Sequence, residues 1–74
     1  MPKAFVMINA HVGKEKDVLE TLKKINAIKI YKVDGIYDFV VEVNAENMAK
    51  LQDIIKWQIR RIDKISSTLT LIVL

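Results

Sequence analysis

With 74 residues, 51% of them hydrophobic and 28% charged, the chain has length for one globular domain and none for a second core. It holds no cysteine and a single histidine, His11, which excludes a disulfide framework, a thiolate nucleophile and a cysteine-based metal site. The net charge of +3 is too small to argue for nucleic acid, no apolar run approaches ~18 residues, and the first residues lack a signal-peptide core, so the composition points to a cytoplasmic non-enzyme without membrane, metal or cofactor. A domain of this size gains only ~3–5 kcal/mol from its core, and with no staple available it calls for a partner subunit.

Residues 3–10, KAFVMINA, form a short apolar run with the length and composition of a buried strand. After Gly13, the segment from Lys14 to Ile25 places Val18, Leu19, Leu22 and Ile25 at helical spacing, with acids ahead of lysines in the sense that suits a helix dipole. Asn26-Ala27 ends it. Residues 28–33 and 36–43 then flank Asp34-Gly35, which reads as a two-residue type I′ hairpin turn that sets Tyr31 opposite Asp38 and Ile30 opposite Phe39. Asn44 is the expected N-cap of a second helix over residues 46–62, striped by Met48, Leu51, Ile55, Ile59 and Ile62. Residues 66–74 read as the closing strand. The order βαββαβ, with two right-handed crossovers, implies an α+β ferredoxin-like sandwich over residues 1–74, its antiparallel sheet ordered 4-1-3-2 and both helices on one face.

The other sheet face should alternate with polar residues, and it does so only weakly. With Phe39, Val41 and Val43 turned to the helices, Asp38, Val40 and Glu42 turn away. With Leu69, Leu71 and Val73 turned in, Thr68, Thr70, Ile72 and Leu74 turn out. The first strand is apolar on both sides. Such a face marks an interface, so Val40, Ile72 and Leu74 are the expected contacts of a homodimer, with a ring as a further step.

The segment Val33-Asp34-Gly35-Ile36-Tyr37-Asp38, the tail Ile65-Ser66-Ser67-Thr68-Leu69-Thr70-Leu71-Ile72-Val73, the start Ala4-Phe5-Val6-Met7-Ile8 and Val12-Gly13-Lys14-Glu15 together resemble the effector-binding (RAM) domain of the Lrp/AsnC family. The resemblance spans essentially the whole chain, and with the first strand beginning at residue 3 it implies a stand-alone domain lacking the family's DNA-binding helix-turn-helix. It further implies sheet-to-sheet homodimers, octameric or decameric rings, small amino-acid effectors held between dimers, and co-assembly with full-length regulators instead of direct DNA contact. Gly35, Tyr37, Asp38, Thr68 and Thr70 match the family's Gly-x-Tyr-Asp and Thr-x-Thr pieces and are the implied effector-binding residues. Ile36 departs from the pattern, standing where the family often carries an acidic or polar residue.

Chemistry supports part of this. Asp38 suits an ammonium group, Thr68 and Thr70 offer hydroxyls to a carboxylate, and Gly35 lets backbone N–H groups approach a ligand. Each also has a plain structural role: a turn for Asp34-Gly35, a hydrogen bond to Tyr31 or to a neighbouring backbone group for Asp38, β propensity for the threonines. His11 reads as a surface residue, Trp57 as interface packing, and Lys56, Arg60, Arg61 and Lys64 as a solvated helix C-terminus. Two other functions share the fold. An RNA-recognition module needs a basic and aromatic third strand, whereas here Asp34 and Asp38 would repel phosphate. A small dimeric ferredoxin-like enzyme needs converging acids or a histidine, and only His11, Asp38 and Glu42 are on offer.

Overall fold

In the computed structural model, which describes residues 1–74, Lys3–Ala10 forms β1 with strict alternation: Ala4, Val6, Ile8 and Ala10 are buried, and Lys3, Phe5, Met7 and Asn9 are half-buried on the opposite face. β2 (Ile28–Lys32), β3 (Phe39–Asn44) and β4 (Ile65–Ile72) complete one antiparallel sheet in the order β2-β3-β1-β4, the arrangement expected for a ferredoxin-like α+β domain. Phe39, Val41 and Val43 of β3 lie against the helices with Val18, Leu22, Leu51, Ile55 and Ile59. Complete burial of each such side chain contributes roughly 1.5–3 kcal/mol, and these contacts hold the helices to the sheet.

α1 (Glu15–Leu22) starts beyond Gly13, whose φ of +80° suits a residue without Cβ, and carries Glu15 and Asp17 in its first turn. Ala27 closes the connection to β2 at φ 69°, the only non-glycine residue with positive φ. α2 (Met48–Asp53) is capped by Asn47, whose Oδ1 accepts from the Lys50 N–H at 2.9 Å. Asn44 does not cap it; that residue ends β3 and donates its amide to Glu42. α2 continues as a π-helical segment, Ile54–Ile59, in which the Arg60 N–H reaches back five residues to the Ile55 carbonyl at 2.9 Å. The expected stripe survives at Leu51, Ile55 and Ile59, while Met48 is exposed.

Two strand registers differ from the sequence expectation. Tyr31 pairs with Val40 and Lys32 with Phe39, so the β2–β3 connection is longer than a two-residue turn: the Val33 N–H donates to the Asp38 carbonyl at 3.2 Å across residues 34–37. Asp34 does not have the positive φ that a type I′ turn demands. The slip is two residues, an even number, and so every side chain keeps its face.

In β4 the change is larger. Ala10 pairs with Ile65 but Asn9 pairs with Ser67, so one extra residue enters at Ser66, whose hydroxyl donates to the Asn9 carbonyl at 3.1 Å. This β-bulge inverts the alternation that begins at Ile65. Thr68, Thr70 and Ile72 therefore pair with Ile8, Val6 and Ala4 on the helix side, and Leu69 and Leu71 pair with Met7 and Phe5 on the helix-free side. The assignment of Thr68, Thr70 and Ile72 to the open face is thus reversed, and Leu74 lies past the paired strand.

Candidate functional site

One group of expected site residues sits where the β2–β3 loop meets the end of β1. The Asp38 N–H donates to the Ile8 carbonyl and to Asn9 Oδ1, each at 3.0 Å, and Asp38 Oδ2 accepts from the Ala10 N–H at 2.9 Å. Asn9 in turn donates its amide to the Ile36 carbonyl at 3.0 Å. One Asp38 oxygen is therefore committed to backbone, and the loop is stapled to β1 by a side chain that the sequence reading passed over. A lone polar residue beside the end of an apolar run was the available signal. Within this loop Gly35 is exposed at φ +156° with open space around its Cα, Ile36 is 84% exposed, and Tyr37 is half-buried.

The second group lies on the far edge of the sheet. Because the bulge turns Thr70 and Ile72 toward the helices, they form one wall of a cleft whose other wall is Gln52, Ile55, Lys56 and Arg60. The cleft, open to solvent where Gln52, Lys56 and Arg60 are exposed, has a volume of about 270 Å³, just below the ~300–1,000 Å³ usual for small-molecule sites. The widened π-helical turn includes Ile55 and Lys56 and is followed immediately by Arg60. Neither Lys56 nor Arg60 forms an ion pair; the pairs present are Lys3–Glu42, Lys23–Glu20, Lys50–Glu46 and Lys64–Asp17. The cleft thus offers two cations outside any ion pair, an amide and a hydroxyl over an aliphatic floor, with no carboxylate in its lining. Thr68, half-buried two residues before Thr70, faces the same side. Asp38 is hydrogen-bonded to Ile8, Asn9 and Ala10 of β1, the one strand that lies between it and β4, whereas Thr68 and Thr70 pair with Ile8 and Val6 and face the helices.

Elsewhere on the sheet, Asn44 donates a hydrogen bond to Glu42 and holds its carboxyl below the usual carboxylate range; partial desolvation opposes the shift and the Lys3 and Lys29 cations add to it. Trp57 is exposed on the outer side of the π-helical segment, with Lys56 Nζ 4.8 Å and Arg61 Cζ 5.4 Å from its ring centroid. His11 is exposed in the β1–α1 loop and belongs to neither group. No cluster of three or more histidine, cysteine, aspartate or glutamate side chains forms a metal site.

The family model of the Lrp/AsnC ligand binding domain matches residues 3–74. The chain belongs to that family. Among solved structures, FFRP-DM1 is 32% identical and superposes with a TM-score of 0.91 over 100% of both chains. Hypothetical protein PHS023 from Pyrococcus horikoshii is 33% identical, with a TM-score of 0.89 over 100% of this chain and 90% of that one. AsnC from E. coli is 28% identical at a TM-score of 0.89, and there 99% of this chain covers 50% of the other. No curated protein is detectably similar in sequence. Against this Lrp/AsnC background, Lys56 and Arg60 were readable only as helix-end cations; their common cleft depends on the bulge that brings Thr70 opposite them.

Proposed function

We propose that this Lrp/AsnC ligand-binding domain is an amino-acid-sensing, self-assembling regulatory module. It pairs through its sheet face, builds toward a ring, and modulates transcription by assembling with full-length regulators, without direct DNA contact, a catalytic step or a cofactor. The observation that carries the reading is the helix-free face of the sheet. Leu69 and Leu71 are 45% and 50% exposed there, beside the half-buried Phe5, Met7 and Val40. A contiguous apolar layer of this kind favours association with a second copy.

Gly35, Tyr37 and Asp38 of one copy, with Thr68 and Thr70 of another, are the proposed effector contacts, a site completed between copies because within one chain β1 lies between the two groups and the threonines face the helices. Val40 belongs to the proposed dimer surface. Ile72 instead lines the cleft on the helix side. An effector shifts assembly only by the difference in its affinity for the two states. At about 100 times its dissociation constant, a ligand of the folded state adds about 2.7 kcal/mol to stability.

The test combines light scattering at micromolar concentration with a thermal-shift screen of the twenty amino acids at millimolar concentration. A dimer or larger species, stabilised by at least one amino acid that also alters its assembly, is the expected result. A monodisperse monomer that no amino acid stabilises would defeat the proposal.

A further inference from the structure

From the cleft between β4 and the π-helical segment we infer an effector of a different class: a short aliphatic carboxylate without an ammonium group, such as a branched-chain 2-oxo acid. The inference rests on the effector-binding reading above but not on the amino-acid part of it. The ammonium group of an amino acid is best met by a carboxylate, and none of the six lining side chains supplies one; Gln52 Oε1 and the Thr70 hydroxyl are neutral acceptors set beside two cations. Lys56 and Arg60 instead repel a cation and attract an anion, and both are free of competing ion pairs.

The remaining groups complete the recognition. The Thr70 hydroxyl and Gln52 amide can donate to a carboxylate or an α-oxo oxygen, and Ile55 and Ile72 give a branched tail an apolar seat. Arg60 presents a planar fork suited to a carboxylate, and Lys56 acts as a point charge.

The experiment uses the full chain and 4-methyl-2-oxopentanoate as probe, with leucine and sulfate compared at equal ionic strength. Amide chemical shifts of Gln52, Ile55, Thr70 and Ile72 report occupancy of the cleft. The 2-oxo acid should bind about two- to fivefold more tightly than leucine, and Arg60→Gln or Lys56→Gln should weaken it by a similar factor, as expected for screened charge contacts at exposed side chains. Arg60→Lys should retain more of the binding than Arg60→Gln. Equal binding of sulfate, equal or tighter binding of leucine, or indifference to Arg60→Gln overturns the inference, as does the absence of any shift at these amides. Leucine or another amino acid that alters assembly while the 2-oxo acid leaves the cleft amides unmoved preserves the regulatory reading and removes the inference. Cleft binding of the 2-oxo acid by a protein that stays monomeric throughout has the opposite meaning: the inference stands and the assembly reading falls.

Discussion

Ala27 holds a left-handed backbone, φ 69°, at the junction between α1 and β2, where its carbonyl also accepts from the Asn44 N–H at 3.3 Å. For a residue with a Cβ that conformation costs roughly 1–2 kcal/mol, and glycine avoids the cost while losing ~0.4–1 kcal/mol through its freer unfolded chain. Ala27→Gly is therefore expected to raise stability by about 0.5–1 kcal/mol, measured by urea unfolding, and a loss of stability would contradict the strain. The sequence places the helix stop at Asn26-Ala27, but α1 ends earlier, at Leu22, and nothing in the residue names marks Ala27 as left-handed. Asn9 illustrates the converse. Its side chain staples the β2–β3 loop through Asp38 and Ile36, and that contact spans more than twenty-five residues of chain, beyond the reach of local pattern reading.

The strands and helices were legible because their apolar spacing survives tertiary packing almost unchanged: Val18 and Leu22 in α1, Leu51, Ile55 and Ile59 in the second helical segment, and Phe39, Val41 and Val43 in β3 are buried as the periodicity requires. What periodicity alone misses is an inserted residue. In β4, continuing the alternation from the half-buried Ile65 sends Leu69 and Leu71 inward, a natural reading because leucine prefers the core. The bulge at Ser66 reverses it, giving up leucine burial to display leucines outward and threonines toward the cleft. The β2–β3 connection failed more gently, since a two-residue slip preserves faces.

The junction of β1 and β3 carries a pH dependence of definite sign. Glu42, with its side chain 13% exposed, is hydrogen-bonded by Asn44 and lies 3.7 Å from Lys3. Its folded-state pKa is lower than its unfolded one, so its contribution is complete above the ordinary carboxylate value and is lost as pH falls through the folded value. As pH is lowered from neutrality through the ordinary carboxylate value and below it, the stability difference between the wild type and Glu42→Gln should narrow steadily. A difference that stays constant across this window would contradict the charge-dependent contact.

At the level of the molecule, the 13 buried residues form a core too small to make an isolated 74-residue chain robust, and the bulge has moved two leucines out of it. Both features are reconciled if Leu69 and Leu71, with Phe5 and Met7 across the ladder, are covered by a second copy. A stability that depends on association must rise with protein concentration. The double variant Leu69→Lys, Leu71→Lys places two like charges in that layer without touching the helix-side core. Burying them unpaired costs several kcal/mol, so the dissociation constant should rise at least about 100-fold, with loss of the dimer in light scattering and of the concentration dependence of Tm. Circular dichroism should retain the wild-type spectrum, because both side chains are about half exposed in the single chain. Trp57→Ala serves as the opposing case: the sequence reads Trp57 as interface packing, but its ring lies on the helix layer, across the sheet from the displayed leucines, and its loss should leave assembly intact. If Trp57→Ala dissociates the protein and the lysine pair does not, the copies meet through their helices and the displayed leucines require another explanation.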